Sequence, residues 1–65
     1  MIPIENEKDV HPSLCVNARQ FCENIGAISI HNIACLGDGD YRIMYWIEKD
    51  GKRKMEAVLL RLPSV

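Results

Sequence analysis

The side chains of this chain that could bind a metal, form a disulfide or serve as a nucleophile or base are Cys15, Cys22 and Cys35, His11 and His31, and the pair Asp38 and Asp40. Spacing limits each of them. On one helix, Cys15 and Cys22 are separated by about 10.5 Å, at 1.5 Å per residue, so they can neither bridge to each other nor share a zinc ion. His11 with Cys15, and His31 with Cys35, have the i,i+4 spacing of a ligand pair. On a strand that spacing spans about 13 Å, which leaves only His11 with Cys15, and only if the helix already includes His11. An odd number of cysteines in a chain without an export signal reads as reduced thiols in a reducing compartment, packed as small apolar side chains.

The remaining options are no stronger. Ser29 and His31 share a strand face, but no third group is placed to orient the histidine. Asp38 and Asp40 belong to Gly37-Asp38-Gly39-Asp40, a turn too solvated to move either pKa usefully. A calcium loop needs ligands at fixed positions ending in a bidentate Glu, whereas this stretch runs on into Tyr41-Arg42-Ile43. The reading is a non-enzyme with no catalytic residue, no metal site and no cofactor.

The elements that must position these groups follow from periodicity and punctuation. Residues 1–10 hold Pro3 and four charged side chains without a helical period, and form an N-terminal arm in which Ile2 and Ile4 can pair with a sheet edge. A helix runs from about Pro12 to Asn24, with proline at its first position, Ser13 as a competing cap and Gly26 just past its end. Leu14, Ala18, Phe21 and Ile25 recur as one apolar stripe, flanked by Cys15 and Cys22. Ala27 to Leu36 is a strand whose alternation breaks, since Ile28 and Ile30 have one parity and Ile33 and Cys35 the other. A bulge near Asn32 reconciles them, as does a strand apolar on both faces. Two alternating runs flanking Lys49-Asp50-Gly51 then give a hairpin over Tyr41–Arg61. The expected fold class is α+β, one helix packed on a three-stranded antiparallel meander (αβββ), as a single domain over residues 11–65.

The hairpin register decides which side chains face the helix. A two-residue Asp50-Gly51 turn sets Lys54, Glu56 and Val58 beside Ile43, Tyr45 and Ile47, mixing charge into the apolar side. A three-residue loop with Gly51 as a bulge instead joins Ile43 and Tyr45 to Met55 and Ala57, with Leu59 on the same helix-covered face. This second register is the expectation here. It leaves Met44, Trp46, Val58 and Leu60 on the opposite face, which is the candidate protein-binding surface because one helix covers only one side of a small sheet. Tryptophan is the residue most enriched at energetic hot spots of interfaces.

The alternative is a nucleic-acid interface, with Arg42, Lys52, Arg53 and Lys54 on phosphates and Trp46 or Tyr45 stacked on a base. Tyr41-Arg42-Ile43-Met44-Tyr45-Trp46 with Lys49-Asp50-Gly51-Lys52-Arg53-Lys54 resembles the hairpin in the arm-type DNA-binding domains of phage integrases. The resemblance covers the hairpin alone. Those domains place their helix after the sheet and carry a larger basic surplus.

Composition frames the choice. With 48% hydrophobic and 26% charged residues the chain is globular in type, and no apolar run approaches the roughly 18 residues of a membrane span. Met1-Ile2-Pro3-Ile4 leads straight into Glu5-Asn6-Glu7, unlike a secretory signal, so a cytoplasmic location is expected. The net charge of −1 conceals a polarity: residues 1–41 carry six acids against two cations, and residues 42–65 six cations against three acids. A 65-residue domain buries only about 60% of its unfolded surface, so support from self-association, as a homodimer, is expected. Size and the lack of a catalytic motif fit a binding module, inhibitor or regulator that docks on a larger protein, as accessory proteins of phages and plasmids do.

Overall fold

The computed structural model describes residues 1–62; residues 63–65 of the expected domain lie outside the described part. A short 3-10 turn (Glu7–Asp9) precedes helix α1 (Pro12–Asn24), which is followed by strands β1 (Ser29–Gly37), β2 (Asp40–Lys49) and β3 (Lys52–Arg61). The strands form one antiparallel sheet in the order β1-β2-β3. The fold is α+β with αβββ order.

Helix α1 begins where Pro12 supplies a preset φ and has no N–H to leave unpaired. The cap is His11, whose Nδ1 accepts the Ser13 backbone N–H at 3.1 Å. Ser13 itself lies inside the helix. At the other end the Ala27 N–H donates to the Cys22 carbonyl (2.9 Å) and the Gly26 N–H to that of Glu23 (3.2 Å), with Gly26 at φ 76°. That is a Schellman motif, in which a left-handed glycine lets the chain turn back over the last helical carbonyls.

The core lies between the helix and one face of the sheet. Leu14, Cys15, Ala18 and Cys22 pack with Ile30, Ile33, Tyr41, Ile43 and Tyr45. Each large apolar side chain enclosed here contributes about 1.5–3 kcal/mol. The small Ala18 and Cys22, both fully enclosed, let the helix settle against the sheet. Phe21 is half-buried and meets Tyr45 edge to face, with centroids 6.3 Å apart, whereas Ile25 at the helix end is exposed. The buried stripe of α1 is centred on Ala18, with Leu14 and Phe21 to one side and Cys22 and Cys15 to the other, and it stops short of Ile25.

β1 contains the expected bulge: its register with β2 shifts between Ile30 and Asn32, so Ile30 and Ile33 both reach the core while His31 is left on the exposed side. The inserted residue reconciles two parities in one strand.

The hairpin differs from the register expected above. Lys49 pairs with Lys52, Trp46 with Met55, Met44 with Ala57 and Ile43 with Val58, closed by the two-residue turn Asp50-Gly51 with φ of 54° and 75°. Positive φ at both central residues is what a type I′ turn requires, and its twist matches that of the strands it joins. Asp38-Gly39 makes the same turn between β1 and β2, with φ of 53° and 83°. Because side chains alternate with period two, a one-residue change of register exchanges the faces of β3. Val58 and Leu60 thus pack beside the core, and Met55, Ala57 and Leu59 lie on the other side. The charge that this register places on the helix side is accommodated: Glu56 accepts hydrogen bonds from Tyr45 Oη (3.2 Å) and Lys49 Nζ (2.6 Å).

The arm is part of the fold. Ile4 is buried and forms a parallel bridge with Ile30, whose N–H donates to the Pro3 carbonyl (2.9 Å) and whose carbonyl accepts from the Glu5 N–H (3.0 Å). Past the bulge the Asn6 side chain continues this pairing. Its Nδ2 donates to the Ile33 carbonyl (3.0 Å) and its Oδ1 accepts the Ile33 N–H (3.1 Å). From the helix, Arg19 Nε donates to the Ile2 carbonyl (2.8 Å) while its two terminal nitrogens grip the Glu7 carboxylate at 2.8 and 3.0 Å. Hydrogen bonding to that guanidinium holds the Glu7 carboxyl below its usual range.

Replacing Asn6 by Ala removes both bonds to Ile33 and is expected to destabilise the protein by about 1–2 kcal/mol in urea denaturation. The Ile33 amide should then exchange faster than in the wild type. An unchanged midpoint with a still protected Ile33 amide would mean that the arm is not held this way.

Candidate functional site

The side of the sheet turned away from α1 is built by the even-numbered residues of β2 and the odd-numbered residues of β3. Their register sets Trp46 opposite Met55, Met44 opposite Ala57 and Arg42 opposite Leu59. β1 contributes Ser29, Asn32 and Ala34 beside Trp46, Met44 and Arg42. At its centre is an apolar strip of Met44, Trp46, Met55, Ala57 and Leu59, with Leu59 68% exposed.

Trp46 is held by neighbours on both flanking strands. The His31 ring meets it edge to face, with centroids 6.5 Å apart, and the Arg53 guanidinium lies 5.6 Å from its ring centroid. Glu5 of the arm sits 3.3 Å from His31 Nδ1. The bulge in β1 brings His31 to this side, and the two-residue turn brings Arg53. An indole fixed in this way presents its area at a small further entropy cost, as interface anchors do. Further along, Arg42 is half-buried and its Nε has no hydrogen-bond partner among the described residues. At the far end Arg61 and Asp40 form a two-point ion pair at 2.7 and 3.3 Å, which lowers the Asp40 pKa.

Of the residues expected at the docking surface, Met44 and Trp46 are on this face, whereas Val58 and Leu60 are partly buried on the helix side. The four cations of the nucleic-acid alternative are divided. Arg42 and Arg53 belong to the outer face, and Lys52 and Lys54 to the helix side near the hairpin tip. Sequence reasoning missed Met55, Ala57 and Leu59 at the site, and the signal that reveals them is the Asp50-Gly51 dipeptide itself.

The groups with catalytic or ligand potential are occupied or apart. His11 Nδ1 caps the helix, Asp40 holds Arg61, and His31 lies between Glu5 and Trp46. Among the described residues, no three His, Cys, Asp or Glu side chains are clustered to hold a metal ion. No helix among them is long and apolar enough to cross a membrane. All three cysteines are free thiols, with Cys15 and Cys22 buried and Cys35 exposed. Burial pushes the Cys22 thiol up to about 11 and raises that of Cys15 as well.

Comparison with models of known protein families, with curated proteins and with solved structures finds no match to this chain.

Cys35 should therefore react with a thiol reagent at pH 8 in the native protein, while Cys15 and Cys22 stay unmodified until it is unfolded, because thiolate and access are both needed. Mass spectrometry of the labelled chain reads this directly. Equal labelling of all three without denaturant would contradict the packing of α1.

Proposed function

We propose that this protein is a small non-enzymatic binding module, an inhibitor or regulator, that docks on a larger protein through the outer face of its sheet. The observation that carries the reading is Trp46, half-buried between His31 and Arg53 and opposite Met55, at one end of a strip that Met44, Ala57 and Leu59 continue along the sheet. A contiguous apolar strip around a positioned aromatic, rimmed by arginines, has the anatomy of a hot-spot centre in a protein interface. Burying such a strip also supplies the stability that a domain of this size obtains from its own core only sparingly. Self-association through the same face is the form expected when the larger partner is absent. The reading places the protein in the cytoplasm, where its free thiols remain reduced.

Trp46 is the only tryptophan of the chain, so its own fluorescence reports the docking. The expected result is a blue shift when the partner, or a second copy at high concentration, covers the face. Trp46→Ala should weaken that association by about 2 kcal/mol or more, roughly thirtyfold, with far-UV circular dichroism unchanged. Leu59→Lys should weaken it too. Association unaffected by both substitutions would refute the reading, and loss of the fold on Trp46→Ala would make the indole a core residue instead.

A further inference from the structure

The two edges of the sheet are treated differently. The outer edge of β1 is taken by the arm, through the Ile4–Ile30 bridge and the Asn6 amide on Ile33. β3 pairs with β2 and, among the described residues, with nothing else. Its closing pair, Lys49 with Lys52, flanks a two-residue turn, so Lys52, Lys54, Glu56 and Val58 direct their backbone groups to β2. The N–H and C=O groups of Met55, Ala57 and Leu59 therefore point outward as an open ladder, which can accept a further strand.

The charge along that ladder narrows what can be added. β3 carries Lys52, Arg53, Lys54 and Arg61 against one carboxylate, Glu56. Glu56 is engaged by Lys49, and Arg61 by Asp40. Lys52, Arg53 and Lys54 make no ion pair among the described residues. A second copy of β3 brings the same surplus of cations and no free carboxylate to the seam, so it leaves Lys52, Arg53 and Lys54 uncompensated and is opposed by net repulsion. A nucleic-acid strand lying on one face meets only part of this cluster, since Lys52 and Lys54 point to the helix side and Arg53 to the other.

We propose that the free edge of β3 takes an extended segment of another protein as an antiparallel fourth strand. That segment has carboxylates where it passes Lys52, Arg53 and Lys54, and apolar side chains where it passes Val58, Leu59 and Leu60. The site is the edge, not the Trp46 face, and it is tested separately: the Trp46→Ala variant is expected to keep it.

The probe is a fluorescein-labelled ten-residue peptide of alternating threonine and valine that ends in three glutamates, with a control that ends in three lysines. Fluorescence anisotropy on the full chain should show the glutamate peptide binding roughly tenfold more tightly than the control, with the difference shrinking at high salt. In the free protein the Met55, Ala57 and Leu59 amides should exchange rapidly, and the glutamate peptide should slow them. Ala57→Pro deletes an outward-facing N–H without touching the β2 ladder, and should reduce binding at least tenfold. Should that variant not fold, Lys52→Glu with Lys54→Glu still decides the matter by reversing the preference between the peptides. Equal binding of both peptides, or of neither, overturns the proposal. So does protection of the same three amides that grows with protein concentration alone, which would identify a second copy at the edge. A thymidine oligonucleotide that displaces the glutamate peptide would assign the cations to nucleic acid and overturn it as well.

Discussion

Asp50 and Gly51, both at positive φ, determine which side of the sheet every residue of β3 occupies. Left-handed backbone costs roughly 1–2 kcal/mol at an ordinary residue and almost nothing at glycine, while aspartate tolerates it better than most. An Asp-Gly pair therefore selects the tight turn, and the tight turn permits one register. From it follow the packing of Val58 and Leu60 beside the core, the engagement of Glu56 by Tyr45 and Lys49, and the stacking of Arg53 on Trp46. Had the strands slipped by one residue, Met55, Ala57 and Leu59 would be under the helix and the outer face would lose its apolar strip.

Much of this architecture was legible in the residues. Pro12 and Gly26 bracket the helix as proline and glycine at those positions should, and the broken parity of Ile28, Ile30, Ile33 and Cys35 points to the bulge found at His31. The register of the last hairpin was not, because an even division of apolar and charged residues between two faces points to one register and the turn dipeptide to the other. An even division fits only a helix long enough to cover the whole face. The molecule is elongated, 39 × 20 × 18 Å, and Lys49 and Lys52 at the hairpin tip are solvent-exposed, so charged residues on the helix side there meet water and one another. The role of Asn6 was invisible for a different reason: a side-chain amide that imitates a strand partner leaves no periodic trace.

The candidate site was half legible. The position of Trp46 and Met44 on the uncovered face is legible, since the parity of β2 does not depend on the turn. Their cross-strand neighbours do depend on it, and so Val58 and Leu60 gave way to Met55, Ala57 and Leu59. With the helix on one face and the arm on one edge, the fold leaves the opposite face and the opposite edge open among the described residues, the first apolar around an indole and the second basic toward its tip. β3 contributes to both, so the turn that sets it shapes both surfaces.

The most direct test is a nuclear Overhauser measurement across the β2–β3 ladder. In antiparallel sheets the α-protons of non-hydrogen-bonded pairs approach most closely, with Cα atoms about 4.5 Å apart. The register described here predicts strong α-proton contacts between Trp46 and Met55 and between Met44 and Ala57. Strong α-proton contacts between Tyr45 and Met55 and between Ile47 and Arg53 instead would show a three-residue loop and contradict the account of both faces.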